Sequence, residues 1–406
     1  MKKPSWINST VIVVALGYFV DIFDLTLFNM VRVNSLKSLG VMEKDLVDVG
    51  VLLLNSQMAG MLLGGLFWGV FGDRKGRLGV LFGSIIIYSL ANILNAFVQD
   101  IPQYVILRFI SGLGLAGELG AGITLIAEIL PKEIRGMGTA LVAAIGVFGA
   151  VLGGIIVELT PWRWTYVIGG LLGLMLVLLR MKVIDSDLFL QKKKNHTEAQ
   201  WGSLKYLFSD FARVKKFMYC IGIGLPIWFV AGLLMAFSPE LAQAVGVQDP
   251  ITASRTIGIS YLGLGIGDFM SGYISQIFRS RKKTIQIFKA LCFAVVCLIL
   301  FSTAGRGEYY YYTLCFLVGL AAGYWAIFVT TAAEQFGTNL RATVATSVPN
   351  FVRGAVIPMT LLFKSLKGGM GIMPAMAIVG LVAFGIATLS AYLLPESFHK
   401  DLDYVE

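Results

Sequence analysis

Long apolar runs separated by short polar breaks fill almost the whole chain. They fall near 10–31, 47–71, 78–98, 103–130, 137–159, 163–181, 215–238, 253–278, 284–303, 309–333, 342–363 and 371–394. An α-helix rising about 1.5 Å per residue needs about 20 apolar residues to cross hydrocarbon, and each run supplies that length or close to it. The pattern predicts twelve spanning helices. The one long polar interruption, 182–214, lies mid-chain and carries Lys192-Lys193-Lys194. It divides the protein into a six-helix half at 1–181 and another at 215–395, with a short tail at 396–406. The expected class is an all-α membrane protein built as two pseudo-symmetric six-helix bundles.

Composition supports a lipid environment. The 406 residues are 57% hydrophobic and 14% charged, and the mean hydropathy is +0.77. Soluble proteins carry about 25% charged residues. The net charge of +9 would suggest nucleic acid in a soluble protein. Here the basic residues sit in connections between apolar runs, with no patch interleaved with aromatics, so nucleic acid is not an expected partner. With both termini in the cytoplasm, inner connections hold 22 Lys and Arg and outer ones hold 8. That asymmetry is the positive-inside rule and predicts a multi-pass protein of the inner (cytoplasmic) membrane. Met1-Lys2-Lys3 leads into a first run that reads as a retained helix, since eleven more follow. Cys220, Cys292, Cys297 and Cys315 all lie in apolar segments without metal-ligand or disulfide spacing. His196 and His399 are isolated in polar segments. No catalytic constellation emerges, so neither an enzyme nor a cofactor is expected.

The two halves repeat at an offset of 206 residues. Ala127-Glu128 with Arg135 falls on Ala333-Glu334 with Arg341, and Ala116-Gly117 falls on Ala322-Gly323. The basic loop 73–77 falls on 279–283. Parallel repeats joined by a linker suit a carrier whose halves rock about a central site.

Several of these segments resemble the major facilitator superfamily. Gly69-Val-Phe-Gly-Asp73-Arg74-Lys75-Gly76-Arg77 is similar to its loop 2–3 signature. Arg108-Phe-Ile-Ser-Gly112, Glu128-Ile-Leu-Pro131 and Arg135-Gly136 resemble the helix 4 to loop 4–5 pattern of its sugar-porter and metabolite:proton symporter branches. Trp162-Arg163-Trp164 and the tail Leu394-Pro395-Glu396-Ser397 are similar to the same branches. Asp185-Ser186-Asp187 departs from the Pro-Glu-Ser of sugar porters after helix 6. Gly146, Gly149-Ala150 and Gly153-Gly154 partly resemble the helix 5 motif of drug:proton antiporters, with Ala150 in place of its Pro. The resemblance implies alternating access, with Gly69, Asp73, Arg74, Gly76, Arg77, Glu128, Arg135, Asp268, Arg279, Glu334 and Arg341 as gate or latch residues.

Ionisable residues within spans cost about 2.5–3.5 kcal/mol each, so they are functional candidates. They are Asp21, Asp24, Arg108, Glu118, Asp268, Lys289 and Arg353. Lys289 lies near a helix end and is expected to snorkel. Asp24 and Arg108 fall at similar depth, roughly 10 Å below the outer surface, and are expected to pair. The resemblance implies that Asp24 takes a proton and Arg108 tunes it. Asp21 lies on the same helix face and, with Glu118, is a further proton candidate. Arg353, Asn350, Tyr324, Trp325, Trp228, Gln57, Asn55 and Glu118 are expected around a central substrate, with Arg353 clamping an anion. The leading expectation is proton-coupled symport of a small polar organic solute, an organic anion favoured, by a monomer in lipid. The alternative is a proton-driven exporter of drugs or metabolites.

Overall fold

The computed structural model describes residues 9–75, 77–118, 122, 132–184 and 204–398. Apolar sequence in lipid must satisfy its backbone internally, and helices do so. The first half holds α1 (Ser9–Ser38), α2 (Leu46–Lys75), α3 (Arg77–Asn95), α4 (Ile101–Leu115), α5 (Lys132–Leu159) and α6 (Trp162–Ile184). The second holds α7 (Phe211–Phe229), α8 (Ala253–Phe278), α9 (Arg281–Phe301), α10 (Glu308–Ala322), α11 (Trp325–Glu334), α12 (Thr338–Gly354), α13 (Val356–Met370) and α14 (Ile372–Leu393). In the first bundle α1 packs along α5 and α6, α2 along α4, and α3 against α4 and α6. In the second α8 packs along α10, α7 along α14, and α9 along α10. The seam between bundles is made by α5 with α8, α1 with α8, and α2 with α12 and α13.

Two apolar runs that read as single helices are each broken. The run 309–333 forms α10 and α11, parted at Gly323–Tyr324. The run 342–363 lies in α12 and α13, parted at Ala355. Pro358 has no N–H and its ring crowds the carbonyl of Gly354, which accounts for the second break. Among the described residues, eight helical stretches are long and apolar enough to cross a membrane. Neither α8 nor α12–α13 is among them. Both carry polar side chains (Ser260, Asp268, Ser271; Ser347, Asn350, Arg353) that are buried in protein.

The repeat is visible in how helices touch. A Cβ added at Gly60 or Gly64 of α2 would overlap the carbonyls of Phe109 and Leu113 on α4. A Cβ at Gly263 or Gly267 of α8 would overlap those of Phe316 and Leu320 on α10. Conversely, Gly112 abuts the Gln57 carbonyl and Gly319 the Ser260 carbonyl. The matching positions lie 203 residues apart on α2 and α8 and 207 apart on α4 and α10, on either side of the 206-residue offset. Small residues let backbones approach where lipid gives no hydrophobic drive to helix association.

The tail after α14 is tied to the start of α9. Glu396 accepts from the Ser280 hydroxyl and from the backbone N–H of Arg281 at 2.9 Å and Lys282 at 3.2 Å. Partial burial pushes its carboxyl up, but the Ser280 hydroxyl and the N–H groups of Arg281, Phe398 and Ser397 outweigh this and hold it below the ordinary carboxylate range.

Overpacking a filled interface costs roughly 1–3 kcal/mol. Gly112→Ala and Gly319→Ala are therefore expected to lower the thermal unfolding midpoint of the purified protein by similar amounts. Gly385→Ala, which meets nothing within 4 Å, is expected to leave it unchanged or raise it.

Candidate functional site

Between the bundles lies a cavity of about 450 Å³, its open mouth included. The first bundle lines it with Tyr18, Ile22 and Leu25 of α1 and Ala143 and Val147 of α5. The second supplies Ile227, Trp228, Ala231, Tyr261, Leu264, Asp268, Trp325 and Arg353.

Three irregular stretches of backbone build the second bundle's wall. Beyond Pro226, α7 passes into a π-helical turn at Val230–Leu234, which brings Ala231 to the cavity below Trp228. The break at Gly323–Tyr324 makes Trp325 the first residue of α11. Arg353 stands on the last turn of α12, just before the break at Ala355. Irregular backbone at membrane depth is tolerated where it is buried in protein or lines a cavity.

Arg353 is 1% exposed. Its guanidinium stands 5.6 Å from the Trp228 ring centroid and 5.8 Å from that of Trp325. Nη1 reaches Asn350 Oδ1 at a long 3.5 Å, and Nε has no hydrogen-bond partner among the described residues. No carboxylate among them forms an ion pair with it. Two indole faces stabilise a cation partially; a planar anion would complete the arrangement bidentately.

Asp268 is expected in a loop 8–9 latch, but it faces this cavity. Its carboxylate accepts from Ala326 N–H at 3.1 Å and so caps the exposed end of α11. A Cβ on Gly323 would come within 2.5 Å of the Gly267 Cα, so the absence of side chains there lets the break sit against α8. A carboxylate at a helix N-terminus also complements the helix dipole.

Asp24 and Arg108 are both fully buried, yet they form no ion pair. Arg108 Nη2 instead donates to Asn92 Oδ1 at 2.7 Å, and its guanidinium lies 5.0 Å from the Tyr166 ring centroid. An amide and ring faces thus take the contacts expected of Asp24. Asp24 Oδ1 points at Gly169 of α6. Glu118, expected near the substrate, is instead paired with Arg180 of α6; each is 1% exposed. Gly17 of α1 leaves the room for this pair. Asp21, on the same helix, is fully buried, and neither of its oxygens has a hydrogen-bond partner among the described residues.

Among the remaining expected substrate residues, Trp228, Trp325 and Arg353 meet at the cavity and Asn350 backs Arg353. Asn350 also donates to the Ala116 carbonyl at 3.2 Å, across the seam. Asn55 accepts from Thr360 at 2.6 Å, also across the seam. Gln57 reaches the Leu25 carbonyl at 3.4 Å and Tyr324 the Ile223 carbonyl at 3.3 Å. These last three do not line the cavity. Of the gate residues, Gly76 and Glu128, and the side chains of Asp73, Arg74, Arg77 and Arg135, lie outside the described residues. Open space adjoins Gly69. Glu334 pairs with Arg281 at 3.3 Å and accepts from Ser397 at 2.7 Å. Arg341 donates to the Phe336 carbonyl at 3.5 Å. Arg279 ends α8 in the left-handed region, with φ 47°.

The seam is bridged by ion pairs at the end that holds the connections expected outside. Arg32 meets Glu240 at 2.6 Å, Arg255 meets Glu158 at 2.9 Å, and Lys367 meets Asp48 at 3.1 Å. Arg32 reads as a loop residue because its apolar run stops at 31, and Arg180 because it lies at the very end of the run 163–181. The helices continue to Ser38 and Ile184 and carry both arginines into the protein. Tyr18 and Tyr261 had no signal of their own, being aromatics in apolar runs.

Two helical bundles around a central, partly polar cavity define a membrane carrier. The profile of the Major Facilitator Superfamily matches residues 14–360, and the chain belongs to that family. It is 25% identical over 393 residues to a probable 4-methylmuconolactone transporter of Cupriavidus pinatubonensis, covering 94% of this chain and 89% of that one. It is 25% identical over 403 residues to a cis,cis-muconate transport protein of Acinetobacter baylyi, covering 96% and 93%. Its fold is similar to the inward-open structure of the xylose transporter from E. coli, with TM-score 0.73, 16% identity and 97% of each chain covered.

Loss of a side-chain cap costs about 0.5–2 kcal/mol. Asp268→Ala is therefore expected to lower the thermal unfolding midpoint, and Asp268→Asn, which keeps an acceptor for Ala326 N–H, to lower it less.

Proposed function

We propose that this protein is a proton-coupled symporter of a small organic carboxylate with an unsaturated or aromatic skeleton. The observation that carries the reading is Arg353: a buried guanidinium without a carboxylate partner among the described residues, set between two indoles on the wall of the inter-bundle cavity. A substrate carboxylate completes its hydrogen bonds, while Trp228, Trp325, Tyr18 and Tyr261 pack a planar apolar body. Relatives named for 4-methylmuconolactone and cis,cis-muconate transport support the same chemistry, since both compounds are small unsaturated carboxylates. The proton site belongs to the α1 carboxylates, Asp21 and Asp24, which are fully buried on the helix that lines the cavity with Tyr18, Ile22 and Leu25.

In this reading the chain is a monomer in the inner membrane with both termini and the 182–214 linker in the cytoplasm. The bridges from Arg32, Glu158 and Asp48 then close the outer mouth, and substrate leaves on the cytoplasmic side. The α5 glycines that suggest an exporter are occupied by close packing: Gly146 on Tyr18, Gly149 on the Phe19 carbonyl, and Gly154 within 2.9 Å of the Ser254 carbonyl for an added Cβ.

In proteoliposomes, an inward proton gradient is expected to drive accumulation of labelled cis,cis-muconate or benzoate; accumulation only under the opposite gradient would favour export. Charge-assisted hydrogen bonds contribute about 1.5–3 kcal/mol. Arg353→Lys is expected to weaken apparent affinity about 10- to 100-fold, and Arg353→Ala to abolish saturable uptake.

A further inference from the structure

The cavity wall holds an acid as well as the guanidinium. Asp268 of α8 is 9% exposed and lines the same cavity as Arg353. It shares one helix face with Tyr261 and Leu264, which also reach the cavity. The two charges stay apart: no ion pair among the described residues joins Asp268 to Arg353. Trp325 stands between them. Its ring centroid lies 5.8 Å from the guanidinium, and the N–H of the next residue, Ala326, donates to Asp268 Oδ1 at 3.1 Å. The cation therefore sits at the ring end of this side chain and the carboxylate at its backbone end.

The other polar side chains of the wall lean toward donation. Arg353, Trp228 and Trp325 can only donate, and the phenols of Tyr18 and Tyr261 donate or accept. Ionised Asp268 can only accept, and it has more acceptor sites than the Ala326 bond fills. Capping α11 does not itself call for a charge, since Ser, Thr or Asn serves at a helix start. The wall thus offers a carboxylate with acceptor capacity to spare, in a cavity whose cation is also incompletely bonded. A ligand that bridges the two needs an anion at one end and a hydrogen-bond donor at the other.

We infer that Asp268 is a specificity residue that touches the substrate, and that the preferred substrate is a planar carboxylate with a hydroxyl at the end remote from its carboxylate. This rests on the carboxylate reading above and names the substrate class within it. Arg353 takes the carboxylate, the indoles pack the ring, and the hydroxyl donates to Asp268. A benzoate ring hydroxylated opposite its carboxylate is comparable in length to the Trp325 side chain that separates the two charges. A hydroxyl fits this end better than an ammonium, which brings three donors to a wall where Asp268 is the one carboxylate among apolar groups such as Ile22, Leu25 and Val147. Benzoate fills the Arg353 end and leaves Asp268 short of a bond. A site built to bond a hydroxyl rejects the analogue that lacks it for this reason.

The test is calorimetric binding of benzoate, 4-hydroxybenzoate, 4-methoxybenzoate and 4-(aminomethyl)benzoate to the purified full-length protein at about pH 7, where the phenol keeps its proton. A hydrogen bond to a charged group gives the wild type an expected preference of about tenfold or more for 4-hydroxybenzoate over benzoate. The methoxy compound, which keeps the oxygen and loses the donor, is expected to bind no tighter than benzoate. In Asp268→Asn the ratio of the two Kd values is expected to fall to about threefold or less. A residue that only caps α11 would shift both Kd values together and leave their ratio. Equal wild-type Kd values for benzoate and 4-hydroxybenzoate would overturn the proposal and leave the carboxylate reading intact. So would a methoxy compound that binds as tightly as the hydroxy one, or an unchanged ratio in Asp268→Asn. Tightest binding of the aminomethyl compound would overturn the hydroxyl assignment. If Asp268→Asn does not fold, the wild-type order of the four ligands decides. Failure of the wild type to bind any of them would remove the carboxylate reading itself.

Discussion

A guanidinium cannot give up its proton to escape a low-dielectric site, so the protein around it has to solvate the charge. At Arg353 this is done incompletely, with two indole faces and one long contact to Asn350. Much of the second bundle's irregular backbone follows from that arrangement. The π-helical turn after Pro226, the break before Trp325 and the break after Gly354 bring these groups around one cavity. In a fully regular bundle the same side chains would point along straight helix faces and bury one another. The unsatisfied remainder of Arg353's bonding is the opening that a substrate carboxylate is proposed to fill.

Opposed to this loosely bound charge are the contacts that hold each bundle rigid. The Gly60/Gly64/Gly112 set and the Gly263/Gly267/Gly319 set bring α2 onto α4 and α8 onto α10 with backbones in contact. Such interfaces admit little sliding, because the groups that touch are main chain. The seam between bundles is different. It is bridged at one end by side-chain pairs such as Arg32 with Glu240 and Lys367 with Asp48, which separate without disturbing any helix. Rigid bundles joined by a breakable seam are the mechanical requirement for alternating access.

The fold class was legible because hydrocarbon imposes a single rule, that a spanning segment be long and apolar, and local sequence reports it directly. The repeat was legible for a related reason. Ala116-Gly117 and Ala322-Gly323 stand out as small residues at matched positions, and both mark places where a helix is interrupted. The loop around Asp73 carries an equally strong resemblance, but its side chains lie outside the described residues. The pairing of charges was less legible. Asp24 and Arg108 have similar depths, but depth says nothing about azimuth, and Asn92 from α3 takes the contact. Glu118 looked free because its partner, Arg180, lies at the very end of the apolar run 163–181 and counts there with the basic residues of the connection that follows.

The sequence by itself determined that this chain crosses a membrane many times, that it is built twice over, and which few ionisable residues lie at membrane depth. Those are properties of composition and spacing along one dimension. Only the tertiary structure decided which charges meet. It set Glu118 against Arg180, gave Asp268 to the α11 backbone, and left Arg353 on the cavity wall without an ion pair among the described residues. The reason is that a buried charge is governed by the few groups within several ångströms of it, and on a helix those are chosen by rotation about the axis and by neighbours hundreds of residues away.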